Sequence, residues 1–159
     1  MKPLITFVNH ASVIFSHGDV TLITDPWISG PAFNDSWELI SQSKLQIDDF
    51  AKITHIWFSH EHPDHFSIKD LLYIKSINKK NVEVLFQKTK DKRVINFLKK
   101  KSFKTKEMED GFDYKILDDF TIKVKTIPSF DSLSIMNVKD KTIVNFNDCI
   151  LSKIGLKKI

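Results

Sequence analysis

Between His60 and His65 the chain reads His60-Glu61-His62-Pro63-Asp64-His65, three imidazoles and two carboxylates in six consecutive positions. Core packing gives no reason for so many ionisable groups in a row. Imidazole nitrogen and carboxylate oxygen are the usual ligands of zinc and related divalent cations. A short loop can turn His60 and His62 to one side, while Pro63 restricts the backbone before Asp64. Asp64 and His65 then face a neighbouring position, so the spacing offers two nascent metal sites. Glu61 is expected to point away, toward supporting hydrogen bonds. The bland alternative is a solvated polar loop. A bound cation would lower the pKa of a water toward neutrality and supply hydroxide for attack on a phosphoryl or carbonyl centre. Asp64, besides ligating, is the candidate to orient that nucleophile and take its proton.

Such a cluster needs a rigid support, and the preceding apolar run, residues 53–58, reads as a buried strand that ends where the cluster begins. Residues 4–8, 12–16 and 20–24 read as an opening antiparallel meander, with His17-Gly18-Asp19 as a turn that leaves His17 solvent-exposed. Asp25-Pro26 ends it, because proline cannot continue a ladder. Residues 27–43 read as a long loop, or a loop with one helical turn, of the kind often tied to function, and carry Trp27, Phe33 and Trp37 as candidate pocket walls or plain core. Ser67 can cap a helix running to about Asn78, and residues 90–100 read as an amphipathic helix. Strands are expected at 82–86, 112–117, 120–127, 133–138 and 141–145, with turns at Asp118-Asp119 and Lys139-Asp140. A C-terminal helix is expected after Asp148. His55 is expected to be packed or hydrogen-bonded on its strand. No repeat, linker or low-complexity tract interrupts the pattern, which is mixed α and β.

The chain has 159 residues, enough for one domain with a core, and a formal charge of +4. Its lysines are scattered among acidic pairs, so a nucleic-acid partner is not expected; the mild basic excess suits a small anionic substrate. Cys149 is the single cysteine, which excludes an internal disulfide and fits a reducing compartment. Without an apolar leader or a span-length apolar segment, the expectation is a cytoplasmic protein with no membrane span.

The order His60-x-His62-x-Asp64-His65 after an apolar strand resembles the signature of the metallo-β-lactamase-fold superfamily. Asn9-His10-Ala11-Ser12 and Ile23-Thr24-Asp25-Pro26-Trp27 resemble the opening of one of its branches. That branch holds N-acyl-phosphatidylethanolamine phospholipase D, ascorbate-6-phosphate lactonase and the CMP-N-acetylneuraminate hydroxylases. The stretch from Asp25 to Trp37, and Asn147-Asp148-Cys149, look closest to the hydroxylases. The resemblance implies an αββα sandwich with the metal site at one edge between the sheets, of which residues 1–159 supply a single partial domain, the first αβ half. It implies one metal on His60 and His62, another on Asp64 and His65, and Asp148 as the bridging carboxylate, although Asp148 also suits a helix N-cap. His10 falls at a position near the metal pocket, with Trp27 and Trp37 as further pocket residues.

Two departures from the pattern shape the expectation. No histidine follows His65, and Asp131, in the segment Ser129-Phe130-Asp131-Ser132, is the strong ligand where an imidazole is usual; it also suits a turn. An oxygen ligand there favours iron or manganese, or weakens one or two bound zinc ions. The histidine of the second half is missing as well. The expectation is a metal-dependent hydrolase of phosphoester, lactone or amide bonds. The alternatives are an iron-dependent oxidoreductase or monooxygenase-like domain, or a truncated non-catalytic domain that needs a second chain; a homodimer or a complementing second chain is a candidate partner.

Overall fold

The structure, a computed structural model, describes residues 2–78, 81–127 and 131–150. The helix expected after Asp148 and the residues Ser129 and Phe130 lie outside the described residues. The chain runs β1 (Leu4–Asn9), β2 (Ser12–His17), β3 (Val20–Thr24), α1 (Ile47–Phe50), β4 (His55–Phe58), α2 (Ile68–Ile77), β5 (Glu83–Gln87), α3 (Arg93–Lys100), β6 (Lys104–Met108), β7 (Asp113–Leu117), β8 (Phe120–Ile127), β9 (Asp131–Val138) and β10 (Lys141–Asn145).

Two sheets result: a six-stranded sheet in the order β1-β2-β3-β4-β5-β6 and a four-stranded sheet in the order β10-β9-β8-β7. The first opens as an antiparallel meander and turns parallel from β3 onward, because each connection from β3 to β6 crosses over. The second is antiparallel throughout, with the short connections that direction permits.

Alternation along the strands makes two cores. Ile56 and Phe58 of β4, with Val84 and Phe86 of β5, face Leu71 and Ile74 of α2 and Val94, Ile95 and Leu98 of α3. Trp57 and Leu85, one residue out of phase, face Phe120, Ile122, Val124, Met136 and Val138 of the second sheet. The result is helices on one face of the large sheet and the small sheet on the other. Among the described residues no helix covers the outer face of the small sheet, so the layers are those expected of the first αβ half of an αββα sandwich. Strand β1 is an open edge, and its Leu4, Ile5 and Phe7 are all more than half exposed.

Ser67 caps α2 by accepting the Asp70 N–H. Asp70, itself buried, accepts from Ile28 N and from the hydroxyls of Ser29 and Ser67, each at 2.8 Å. This one carboxylate therefore moors the start of the long loop to the helix that follows the histidine cluster. His17 departs from expectation: it is buried, and its Nε2 lies 2.9 Å from Asp119 Oδ2 in the β7–β8 turn. The second sheet covers the β2–β3 turn, so a residue that looks like a loop tip becomes a bridge between sheets.

Candidate metal centre

The histidine cluster starts at the carboxyl end of β4, beside the carboxyl end of β3, where parallel strands present their loops to a ligand. Asp25 follows β3 and is fully buried. Its N–H donates to Trp57 O at 2.9 Å, and its Oδ1 accepts the Ser59 N–H at 2.8 Å. Ser59 O in turn accepts from Gln87 Nε2 at 3.0 Å and from the Ser132 hydroxyl at 2.7 Å. The entry to the cluster is thus held by β3, β5 and β9 together. Beyond it, His65 N and Phe66 N both donate to His62 O, at 3.0 and 2.7 Å, closing a tight turn over Pro63.

That turn brings the side chains together. His60 Nε2 lies 2.8 Å from His62 Nδ1, with His60 Nδ1 engaged by the Ser59 hydroxyl at 2.9 Å and by Asp131 at 3.5 Å. His65 Nδ1 faces Asp25 Oδ2 at 3.2 Å, and His65 Nε2 stands 3.6 Å from Asp64 Oδ2 and 3.3 Å from Asp148 Oδ2. A carboxylate behind one imidazole nitrogen fixes the other as the free lone pair. His10 Nε2 reaches Asp64 Oδ2 at 3.0 Å from the β1–β2 turn. Two sets of ligand atoms therefore lie within 4.8 Å of one another: His10, Asp64 and His65, and His60, His65 and Asp148.

The donor chemistry fits a divalent cation. Four carboxylates, Asp25, Asp64, Asp131 and Asp148, converge here, and among the described residues their ion-pair partners are imidazoles, with no lysine or arginine. Asp25 and Asp64 are buried, and negative charge gathered there calls for positive charge. Asp64 Oδ1 and His65 Nε2 are buried without a hydrogen-bond partner, which is costly unless an ion takes them up. Burial pushes the His60 pKa down, reinforced by the neighbouring His65, which keeps its imidazole neutral as a ligand must be. Burial acts the same way on His65, but the carboxylates of Asp25, Asp148 and Asp64 outweigh it and raise its pKa. A proton on His65 does in the metal-free chain part of what a cation would do.

A cavity of about 390 Å³ opens over the cluster, lined by His60, His62, Ile127, Asp131, Asp148 and Cys149 among others. Cys149 is half-buried; burial and the Asp131 carboxylate push its thiol pKa up to about 12. Glu61 turns outward to Arg93 at 3.2 Å. Trp27 lies buried behind His10, ring edge to ring at 5.2 Å, and is a support rather than a wall of this cavity. Trp37 is half-exposed and stacks edge-on to Phe33 at 5.1 Å; Phe33 in turn approaches the His62 ring at 6.2 Å. Asp25 is the residue that sequence reasoning left out of the site: Asp-Pro after a strand signals a turn, and only its burial reveals a carboxylate backing His65.

Comparison with known proteins agrees with this fold. Residues 4–139 match the family model described as a beta-lactamase superfamily domain. The cytidine monophosphate-N-acetylneuraminic acid hydroxylase of Xenopus laevis is 26% identical over 158 residues, covering 91% of this chain and 25% of the relative. Among solved structures, CmlA, a diiron beta-hydroxylase from Streptomyces venezuelae, superposes with a TM-score of 0.75 at 17% identity over 99% of this chain and 32% of its own. An isothiocyanate hydrolase from Delia radicum gut bacteria gives a TM-score of 0.72 at 14% identity, over 97% of this chain and 66% of its own. The chain spans a quarter or less of the length of the hydroxylases it matches.

Proposed function

The chain belongs to the beta-lactamase superfamily, and from that premise we propose that it is the metal-holding part of an iron-dependent oxidoreductase acting on a small anionic molecule. One observation carries the reading: Asp131 stands 3.5 Å from His60 Nδ1 and lines the cavity, a carboxylate beside the imidazoles. A mixed carboxylate and imidazole set suits iron or manganese. Its relatedness to hydroxylases over nearly the whole chain supports the same choice. His60, His62 and Asp131 would hold one ion, and Asp64 and His65 a second, with Asp148 between them. The chemistry supplied by bound iron is oxygen insertion: a substrate C–H bond, dioxygen, two electrons and two protons give an alcohol and water. The electrons come from outside residues 1–159, because Cys149 alone cannot ligate an iron–sulfur cluster.

A second reading, hydrolysis by a metal-activated water, rests on Asp64. Its Oδ1 is buried, unpartnered and adjacent to the ligand atoms, placed to accept a proton from such a water. Activity with each metal loaded alone separates the two. The iron(II)-loaded protein should show reductant-dependent oxygen uptake. Turnover of a phosphodiester or lactone by the zinc-loaded protein, with no reductant-dependent oxygen uptake by the iron(II)-loaded one, would overturn the oxidative reading.

The open edge of β1, with Leu4, Ile5 and Phe7 exposed, supports association with its own copy or a completing chain. Among the described residues no helix is long and apolar enough to cross a membrane. A reducing cytoplasm is consistent with the unpaired Cys149.

A further inference from the structure

We propose that His10 is itself a metal ligand, the third protein donor to the ion held by Asp64 and His65. The assignment rests on the metal-centre reading above and goes beyond it, moving His10 from the wall of a substrate pocket to the coordination sphere.

Its geometry is that of a ligand. Donors about 2.1 Å from one ion stand roughly 3.0–3.4 Å apart when adjacent. His10 Nε2 is 3.0 Å from Asp64 Oδ2, Asp64 Oδ2 is 3.6 Å from His65 Nε2, and the three ligand atoms lie within 4.8 Å of one another. Asp64 Oδ1 and His65 Nε2 are among the buried atoms left without hydrogen-bond partners, and both belong to residues of this trio. His10 is thus the residue that closes a two-imidazole, one-carboxylate set with Asp64 and His65, leaving positions open toward Asp148 and solvent.

The local sequence also makes sense this way. Only His10 and Ala11 join β1 to β2, and His10 takes a φ of +42° there. Glycine or asparagine would meet that backbone demand with less strain. The buried Trp27, held by its indole N–H to Gly30 O at 2.9 Å, presses the His10 ring from one side, with the His65 ring 5.5 Å away. A surface turn has no need of such support; an imidazole that must meet an ion does. The consequence is that this position fills its ligand set from the described chain, without a histidine from a later strand.

Cobalt(II) reads the assignment directly. In a Cys149→Ser background, His10→Cys should bind cobalt and gain a near-ultraviolet sulfur-to-cobalt charge-transfer band that Cys149→Ser alone lacks. His10→Ala should lower cobalt affinity at least about 10-fold. Parent-like cobalt binding by His10→Cys with no new band overturns the assignment. Should that variant lose its fold by circular dichroism, His10→Asp is read by X-ray absorption: one imidazole fewer per ion supports the assignment, and an unchanged imidazole count overturns it. A parent chain that takes up no cobalt would sink the metal-centre reading and this assignment with it, a result distinct from normal uptake with an unchanged spectrum.

Discussion

The two sides of the cavity are built on different terms. The floor, Asp25, His60, Asp64 and His65, is at most 4% exposed and stands at the ends of parallel strands buried on both faces. The rim comes from the antiparallel sheet: Asp131 at the start of β9, and Asp148 beyond β10 with its side chain 57% exposed. The floor imidazoles have their orientation set by neighbours, Asp25 behind His65 and Ser59 behind His60. Asp148 meets the cluster through its 3.3 Å approach to His65 Nε2 and, among the described residues, has no comparable support. The contrast teaches that metal affinity should reside in the floor, while the rim tunes which ion is held and how open it is to substrate.

Substitutions ranked by expected effect probe that division. His65→Ala should be the most damaging, lowering metal affinity by more than about 100-fold, because it removes the imidazole common to both ligand trios. Equilibrium dialysis with elemental analysis checks this. Asp25→Asn, which touches no ion in this account, should still cost about 10- to 100-fold by releasing the His65 ring; parent-like affinity would show that the floor needs no backing. Asp148→Ala should cost about 10-fold or less in affinity yet alter metal selectivity; a loss equal to that of His65→Ala would erase the distinction between floor and rim.

The pH dependence sharpens the same contrast. The folded His65 pKa is raised above its ordinary 6.5, so its contribution to metal-free stability is complete below about pH 6.5 and is lost as pH rises through the folded value. Metal must displace that proton, so apparent metal affinity should climb over the same interval. Denaturant titrations of parent and His65→Gln across this range should converge as pH rises. Last in size, Trp37→Ala, on the exposed loop, should leave stability within about 0.5 kcal/mol.

Much of the floor was legible from sequence because three signals coincide there: an apolar strand, a proline-restricted turn and a run of ligand-type side chains. The strands of both cores were legible for the same reason, their period-two apolar pattern. What escaped did so for identifiable causes. Strand β6, Lys104-Thr105-Lys106-Glu107-Met108, carries one buried apolar side chain and charged neighbours, as an edge strand does, and such a segment reads as loop. The bond of His17 to Asp119 spans 102 residues of chain, beyond any local pattern. Asp25 carries a turn signal stronger than any ligand signal, and its role depends on a strand pairing that brings Ser59 and His65 to it.

The central claim is that the side chains at the ends of β3 and β4 gather around a divalent cation. Metal-stripped protein, dialysed against micromolar iron(II), manganese or zinc and then analysed for metal and protein together, tests it most directly. The account predicts at least one tightly held equivalent per chain, lost in His65→Ala. Folded parent protein that retains none of the three ions would contradict it.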